Sequence, residues 1–300
     1  MSSAKFGLFV LIGLANLSFY KEWFAAVRSG RAVGRPAWSD LLIGGVTDFL
    51  DTLGIGSFAP TTAIYRFRGH PSDELIPGTL NAGHNSAALL ETIIFVTVIA
   101  VDPVLLLSMV LSAAAGAWLG AGIVRRLERR TIQIIMGIAL LLAAAAFVAS
   151  NLGAFPAGGT AMSLDGWRFG VAVTANFVFG GLMCAGIGLF APCMITLALL
   201  GLHPLGAFPI MAGACALVQP VAATQFLKGN RVAWGPALGL TIGGVAGVLI
   251  AAYIVKQLPL AALRWLVAIV VTYAAFSMLH LARRSPGNSG DSRLLRPQGQ

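Results

Sequence analysis

The chain has 300 residues, of which 57% are hydrophobic and only 10% charged, with a mean hydropathy of +0.84. Soluble domains carry about 25% charged residues, so this composition excludes an ordinary soluble fold. The formal charge of +9 does not point to nucleic acid, because Lys and Arg stand in short runs between apolar stretches, as the cytoplasmic anchors of membrane proteins do.

In chain order, a transmembrane helix of about 20 apolar residues is predicted over 4–20, and Lys21-Glu22-Trp23 follows it where a cleaved signal would carry small residues. Further helices are predicted over 77–101, 103–124, 131–150, 204–227, 232–255 and 260–282. Two apolar regions, 39–66 and 168–202, are interrupted near their middles, by Gly54-Ile55-Gly56-Ser57-Phe58-Ala59-Pro60 and by Gly186-Ile187-Gly188-Leu189-Phe190-Ala191-Pro192. These heptapeptides agree at six of seven positions, 132 residues apart, and Pro77 and Pro209 keep that offset. Gly116 and Gly247, Val124 and Val255, and Leu127 and Leu258 match at 131. A register held this far marks an internal duplication. The expected organisation is a leading helix and basic loop (1–38), a first repeat (39–150), an inter-repeat loop (151–167), a second repeat (168–284) and a disordered tail (285–300).

If each interrupted segment crossed the membrane once, the 20 basic residues would divide 9 against 11; if each returns to its starting side, they divide 16 against 4. Cytoplasmic loops are enriched in Lys and Arg, so the second scheme is preferred. The expected fold is therefore an all-α polytopic membrane protein: one leading helix plus two inverted repeats, each a re-entrant hairpin followed by three transmembrane helices. The inner (plasma) membrane, with the C-terminus cytoplasmic, is the expected location.

In such folds the ligand sits near the midplane, where helix N-termini point at it. Gly54 and Gly56 permit φ > 0, and Pro60 suits the first turn of a new helix. The tip thus offers unpaired N–H groups and a positive dipole end, an anion site, with Ser57, Thr61 and Thr62 adding hydroxyls. The second tip, Gly186 and Gly188, is more apolar, with Leu189, Cys193 and Met194 in the corresponding places. Asn81 and His84 are placed beside the first tip, and Gln219 is the nearest polar group in the second half. A neutral histidine satisfied within the bundle is the plainer role for His84. Asp48, Asp51 and Glu91 are ionisable at membrane depth, where such groups mark function, and they are candidates for coupling transport to protons or sodium. Cys184, Cys193 and Cys215 are an odd set in apolar segments, not a disulfide framework; they read as small buried residues. Gly116-x-x-x-Gly120 and Gly239-x-x-x-Gly243 are helix-packing faces.

The run Gly44-Gly45-Val46-Thr47-Asp48-Phe49-Leu50-Asp51-Thr52-Leu53-Gly54-Ile55-Gly56-Ser57-Phe58-Ala59-Pro60-Thr61-Thr62-Ala63 resembles the first repeat motif of the sulfite exporter TauE/SafE permeases, also called the toluene sulfonate uptake permease family. The repeated Gly-Ile-Gly-x-Phe-Ala-Pro and the length fit as well, although Gly-Ile-Gly-Ser stands where the family motif more commonly reads Gly-Gly-Gly-Gly. The resemblance implies a permease for sulfite, sulfonates and related anions, recognised at the glycine-rich tips. No nucleotide-binding loop is present, so a gradient must drive transport. No cofactor and no metal are expected, the partners are a small anion and the lipid bilayer, and a homo-oligomer is compatible. The alternatives are a membrane-embedded sulfur-handling enzyme using Cys184, Cys193, Cys215 and His84, or a soft-metal carrier through Asp48, Asp51, His84 and Glu91.

Overall fold

The computed structural model describes residues 3–32, 34–154, 159–253 and single positions between 265 and 283. The described residues are helical apart from turns, loops and one isolated bridge between Ala161 and Leu202. The leading helix α1 (Ser3–Arg28) runs two turns past its predicted end. The first interrupted region is α2 (Trp38–Thr52) and α3 (Phe58–Arg68), followed by α4 (Ile76–Gly83), α5 (Asn85–Val98), α6 (Pro103–Val124) and α7 (Arg129–Asn151). The second interrupted region is α8 (Gly166–Met183) and α9 (Phe190–Leu199), followed by α10 (Pro204–Lys228) and α11 (Trp234–Tyr253). The described positions from 265 to 283 are helical, and the tail from 285 lies outside the described residues. Among the described residues five helices, α1, α6, α7, α10 and α11, are long and apolar enough to cross a membrane; the chain is a multi-pass, all-α membrane protein.

The helix predicted over 77–101 is divided at His84 into α4 and α5. Thr241 in α11 donates its hydroxyl to the Gly83 carbonyl at 3.0 Å, taking up an acceptor that an unbroken helix would use internally. Backbone bonds from His84 N to Leu80 O and from Ala88 N to His84 O, both 3.0 Å, carry the chain across this kink.

Each interrupted region folds back on itself. Arg68 Nη1, in the last turn of α3, lies 2.7 Å from Asp40 Oδ1, in the first turn of α2. Placed in line, helices of 15 and 11 residues would hold these ends roughly 40 Å apart at about 1.5 Å per residue. In the second region Arg168 Nη1, at the start of α8, reaches within 3.6 Å of the place a Cβ on Gly201 would occupy, just past the end of α9. The helix ends sort accordingly onto two faces. One gathers Glu22 with Lys228 (3.7 Å) and Asp73 with Arg66 and Arg129 (both 3.3 Å). The other joins Lys5 Nζ to Val96 O and Asp102 N to Met162 O.

The two halves pack reciprocally. The repeat register relates α2 to α8 and α6 to α11, and in the fold α2 lies along α11 while α8 lies along α6. Between lipid-embedded helices there is no hydrophobic driving force, so small residues that permit close backbone approach carry the packing. A Cβ on Gly116 would stand 1.8 Å from Phe177 O, and one on Gly243 would stand 1.9 Å from Leu41 O. Gly116→Val and Gly243→Val should therefore each cost more than the roughly 1–3 kcal/mol of ordinary overpacking. Fluorescence-detected size exclusion should show loss of the monodisperse peak, and a wild-type profile would count against these interfaces.

Candidate functional site

The first tip is a tight turn built on two glycines, Gly54 (φ 83°) and Gly56 (φ 95°). It is closed by Gly54 N to Asp51 O (2.7 Å) and Ile55 N to Leu50 O (3.0 Å). The second tip repeats the closure with Gly186 (φ 86°), Gly186 N to Met183 O (3.0 Å) and Ile187 N to Leu182 O (3.3 Å). Each tip launches a short helix whose N-cap, Ser57 for α3 and Leu189 for α9, makes no side-chain cap bond. Pro60 and Pro192 fall in the first turns, where a missing N–H leaves no bond unmade.

The tips meet head to head. A Cβ on Gly56 would stand 3.6 Å from the Phe190 Cβ, and one on Gly188 would stand 3.4 Å from the Phe58 Cβ. Gly56 and Phe58 are the 132-residue counterparts of Gly188 and Phe190, so the contact is self-reciprocal. Between the tips lies a small cavity of about 10 Å³ lined by Asp51, Gly56, Ser57, Phe58, Met183, Gly188, Leu189, Phe190, Cys215 and Gln219. A cavity of that volume is near the size needed for one water.

Asp51 closes the first tip. Its Oδ1 accepts the Ser57 N–H at 3.1 Å and its Oδ2 accepts the Ser57 hydroxyl at 2.9 Å. The carboxylate thus takes up an α3 amide that an external oxyanion would otherwise meet. Across the cavity Gln219 is fully buried, and neither its Oε1 nor its Nε2 has a partner among the described residues. A second, larger cavity of about 340 Å³ adjoins both tips. Ala139 to Ala146 of α7, Phe179 and Leu182 of α8 and Ala191 to Thr196 of α9 line it, leading along the second hairpin.

A separate polar cluster stands behind the first tip. His84 Nδ1 sits 2.8 and 2.9 Å from the two Asp48 carboxylate oxygens, and its Nε2 is 3.1 Å from Thr61 Oγ1. Thr61 Oγ1 is also 2.8 Å from Ser57 O. The hydroxyl has one proton, so the assignments are linked. If Thr61 donates to Ser57 O, His84 must supply Nε2–H; if Thr61 donates to Nε2, His84 is the Nδ1–H tautomer facing Asp48. These contacts form a continuous hydrogen-bonded chain from Asp48 through His84 and Thr61 to the Ser57 carbonyl at the tip. Thr52 Oγ1 has the same choice between Asp48 O (2.9 Å) and Glu91 Oε1 (2.7 Å), so Glu91 joins this cluster rather than the cavity.

Of the residues singled out in the sequence, the cavity between the tips brings together Asp51, Gly56, Ser57, Gly188 and Gln219. Gly54 faces the Phe208 ring, and Gly186 lines the larger cavity beside Met136. Thr61 and His84 lie one layer behind, with both His84 nitrogens engaged by the protein. Thr62 Oγ1 and Asn81 Oδ1 are buried without partners among the described residues, and Asn81 Nδ2 donates to Pro77 O of its own helix at 2.8 Å. Cys215, which the sequence offered only with Cys184 and Cys193 as a small buried residue or a member of a sulfur-handling set, stands one turn before Gln219 on the cavity wall; that spacing was the available signal. Met183 and Leu189 are the repeat counterparts of Asp51 and Ser57 and were legible from the offset. Among the described residues no group of three or more His, Cys, Asp or Glu side chains is arranged to hold a metal ion.

A multi-pass helical membrane protein with two uncapped helix starts facing each other across a buried cavity has the architecture of a transporter. The family model described as Sulfite exporter TauE/SafE matches residues 3–147 and 168–299. The chain belongs to this family of membrane transporters, for which a small anion and the lipid bilayer are the partners. Comparison with curated proteins and with solved structures gave no match.

A buried polar group left without a partner costs about 1–3 kcal/mol, and an apolar group of the same shape removes that cost. Gln219→Leu should therefore raise the melting temperature of the ligand-free protein while weakening anion binding. A drop in melting temperature would show the amide to be satisfied structurally.

Proposed function

We propose that this protein is a secondary-active permease for a small anion, sulfite or another sulfur-containing oxyanion or organosulfonate, bound where the two tips meet. The observation that carries this reading is the pairing of two helix starts, neither capped by its own N-cap side chain and the first met by the Asp51 carboxylate, with a Gln219 amide that has no partner among the described residues, around one small cavity. Helix N-termini with unpaired N–H groups and positive dipole ends favour anions. Non-helical backbone at this depth is tolerated because it is buried in protein rather than exposed to lipid.

The two halves are inverted repeats that rock against each other around the tips, exposing the site alternately to either side. The Arg-rich face is cytoplasmic, in the inner membrane, a reading supported by the enrichment of cytoplasmic loops in Lys and Arg, while the reciprocal packing of α2 on α11 and α8 on α6 supports the pairing of the halves. The larger cavity runs along the second hairpin, toward the Arg-poor face. On the other face Asp73 ties Arg66 of α3 to Arg129 and Gln133 of α7, the last at 2.6 Å. This cluster is the inner closure that parts when the site opens to the cytoplasm.

Asp51 couples the cycle to protons. Its carboxylate and a substrate oxyanion compete for the same Ser57 N–H, so the anion binds when a proton on Asp51 lets it leave. Asp48, His84 and Thr61 hold the far side of the tip and transmit their protonation to Ser57.

Purified protein tested against sulfite, thiosulfate, sulfoacetate, sulfate and carboxylates should be thermally stabilised by a sulfur-containing anion. Gly56→Val forces a β-branched residue to φ > 0, at a cost of at least about 1–2 kcal/mol, and should abolish both this stabilisation and transport in proteoliposomes while leaving membrane insertion intact. Full binding by Gly56→Val would refute the tip as the site. Asp51→Asn should flatten the pH dependence of flux, and an unchanged profile would remove Asp51 from the coupling.

A further inference from the structure

Eight of the ten residues around the cavity between the tips form four repeat-related pairs, each 132 positions apart: Asp51 with Met183, Gly56 with Gly188, Ser57 with Leu189 and Phe58 with Phe190. The other two, Cys215 and Gln219, both come from α10 and break the symmetry. Their counterparts in the first half, Gly83 and Ala87, face α11 instead, Gly83 against Leu240 and Ala87 beside Gly244. The polar groups of the site are thus unevenly spread. Asp51 and Ser57 stand on one side, Met183 and Leu189 replace them on the other, and α10 supplies an amide and a thiol.

These two α10 groups differ chemically. The Gln219 amide has hard donor and acceptor atoms, fully buried and unpartnered. A thiol is a weak donor with a soft, polarisable sulfur. Cys184 shows the structural use of a thiol in this fold, lying 3.3 Å from Ala117 O and 3.5 Å from Gly180 O. Cys215 makes no hydrogen bond among the described residues and faces the cavity. With Met183 and Leu189 it forms a wall that offers an oxygen atom almost nothing in exchange for its hydration.

We infer that Cys215 is a specificity-determining residue, selecting anions with one soft or apolar vertex over anions oxygenated at every vertex. The inference rests on the cavity between the tips being the anion site. Sulfite, whose fourth vertex is a lone pair, and a sulfonate, whose fourth vertex is carbon, turn their oxygens to Ser57 and Gln219 and their soft vertex to the Cys215 wall. Sulfate and phosphate have an oxygen at that vertex, and burying it without a hydrogen bond is penalised. The discrimination comes from an oxygen left unserved on the disfavoured ligand, a penalty placed on the competitor rather than a new contact to the favoured anion.

The test is isothermal titration of the full-length protein with methanesulfonate and with sulfate. Wild type should prefer methanesulfonate. Cys215→Ser keeps the volume and supplies a hydroxyl donor at the soft wall, and should shift the ratio of the two affinities toward sulfate by about tenfold or more, the scale on which a site's hydrogen bonds discriminate. Cys215→Ala, which leaves room for a water to serve the fourth oxygen, should shift it the same way, whereas Cys184→Ser and Cys193→Ser should leave it unchanged. An unchanged ratio in both Cys215 variants, with methanesulfonate still bound, overturns this inference alone. Failure of wild type to bind any of the anions overturns the parent reading and this inference with it.

Discussion

Within the hydrocarbon of a bilayer, every backbone N–H and C=O must find a partner inside the protein or in a water-filled cavity, because lipid offers none. A helix that stops at the midplane therefore creates a demand as well as a break. Here two helices start inside the bundle, at the buried Phe58 and Phe190, and the chain meets the demand by setting the tips against each other. Gly56 and Gly188 allow the contact at van der Waals distance, and Asp51 takes up the amide and hydroxyl of Ser57. Much of the surrounding structure serves this arrangement. The glycine-lined contacts of α2 with α11 and of α6 with α8 fix the hairpins against the opposite half, and Asp40 with Arg68 holds the first hairpin shut at its base.

The same constraint explains the distribution of polar groups. In lipid-facing positions they would be costly, so those nearest the tips collect in two internal layers. One layer is the cavity between the tips. The other is the chain of Asp48, His84, Thr61, Thr52 and Glu91 behind it, in which each threonine proton has two claimants. The second half repeats the closing bonds of the first turn, without the positive φ of Gly56 at Gly188, and has apolar side chains at the equivalent places, so the two tips are paired in position and chemically one-sided.

The duplicated heptapeptides were legible because glycine and proline requirements are local and survive in sequence: a tip that turns at φ > 0 and then starts a helix needs those residues in that order. The return of each segment to its starting face was legible only through the uneven count of Lys and Arg. What the sequence did not disclose depends on contacts between distant residues. The break at His84 is accompanied by a Thr241 hydroxyl that lies 3.0 Å from both the Gly83 and the Ala237 carbonyl, 158 positions beyond Gly83, and no local pattern around 77–101 announces it. His84 itself was placed at the site, but Asp48 and Thr61 engage both its ring nitrogens. Cys215 looked like any buried cysteine until α10 was seen to turn that face, one turn from Gln219, toward the tips.

The most direct measurement is an experimental structure with selenite, whose selenium marks the anion by anomalous scattering. The account predicts one strong peak between the tips, with oxygens within hydrogen-bonding distance of Ser57 N and Gln219 Nε2, and with the Asp51 carboxylate displaced from Ser57. An ordered anion elsewhere in the bundle, with the bonds from Ser57 to Asp51 intact, would contradict it.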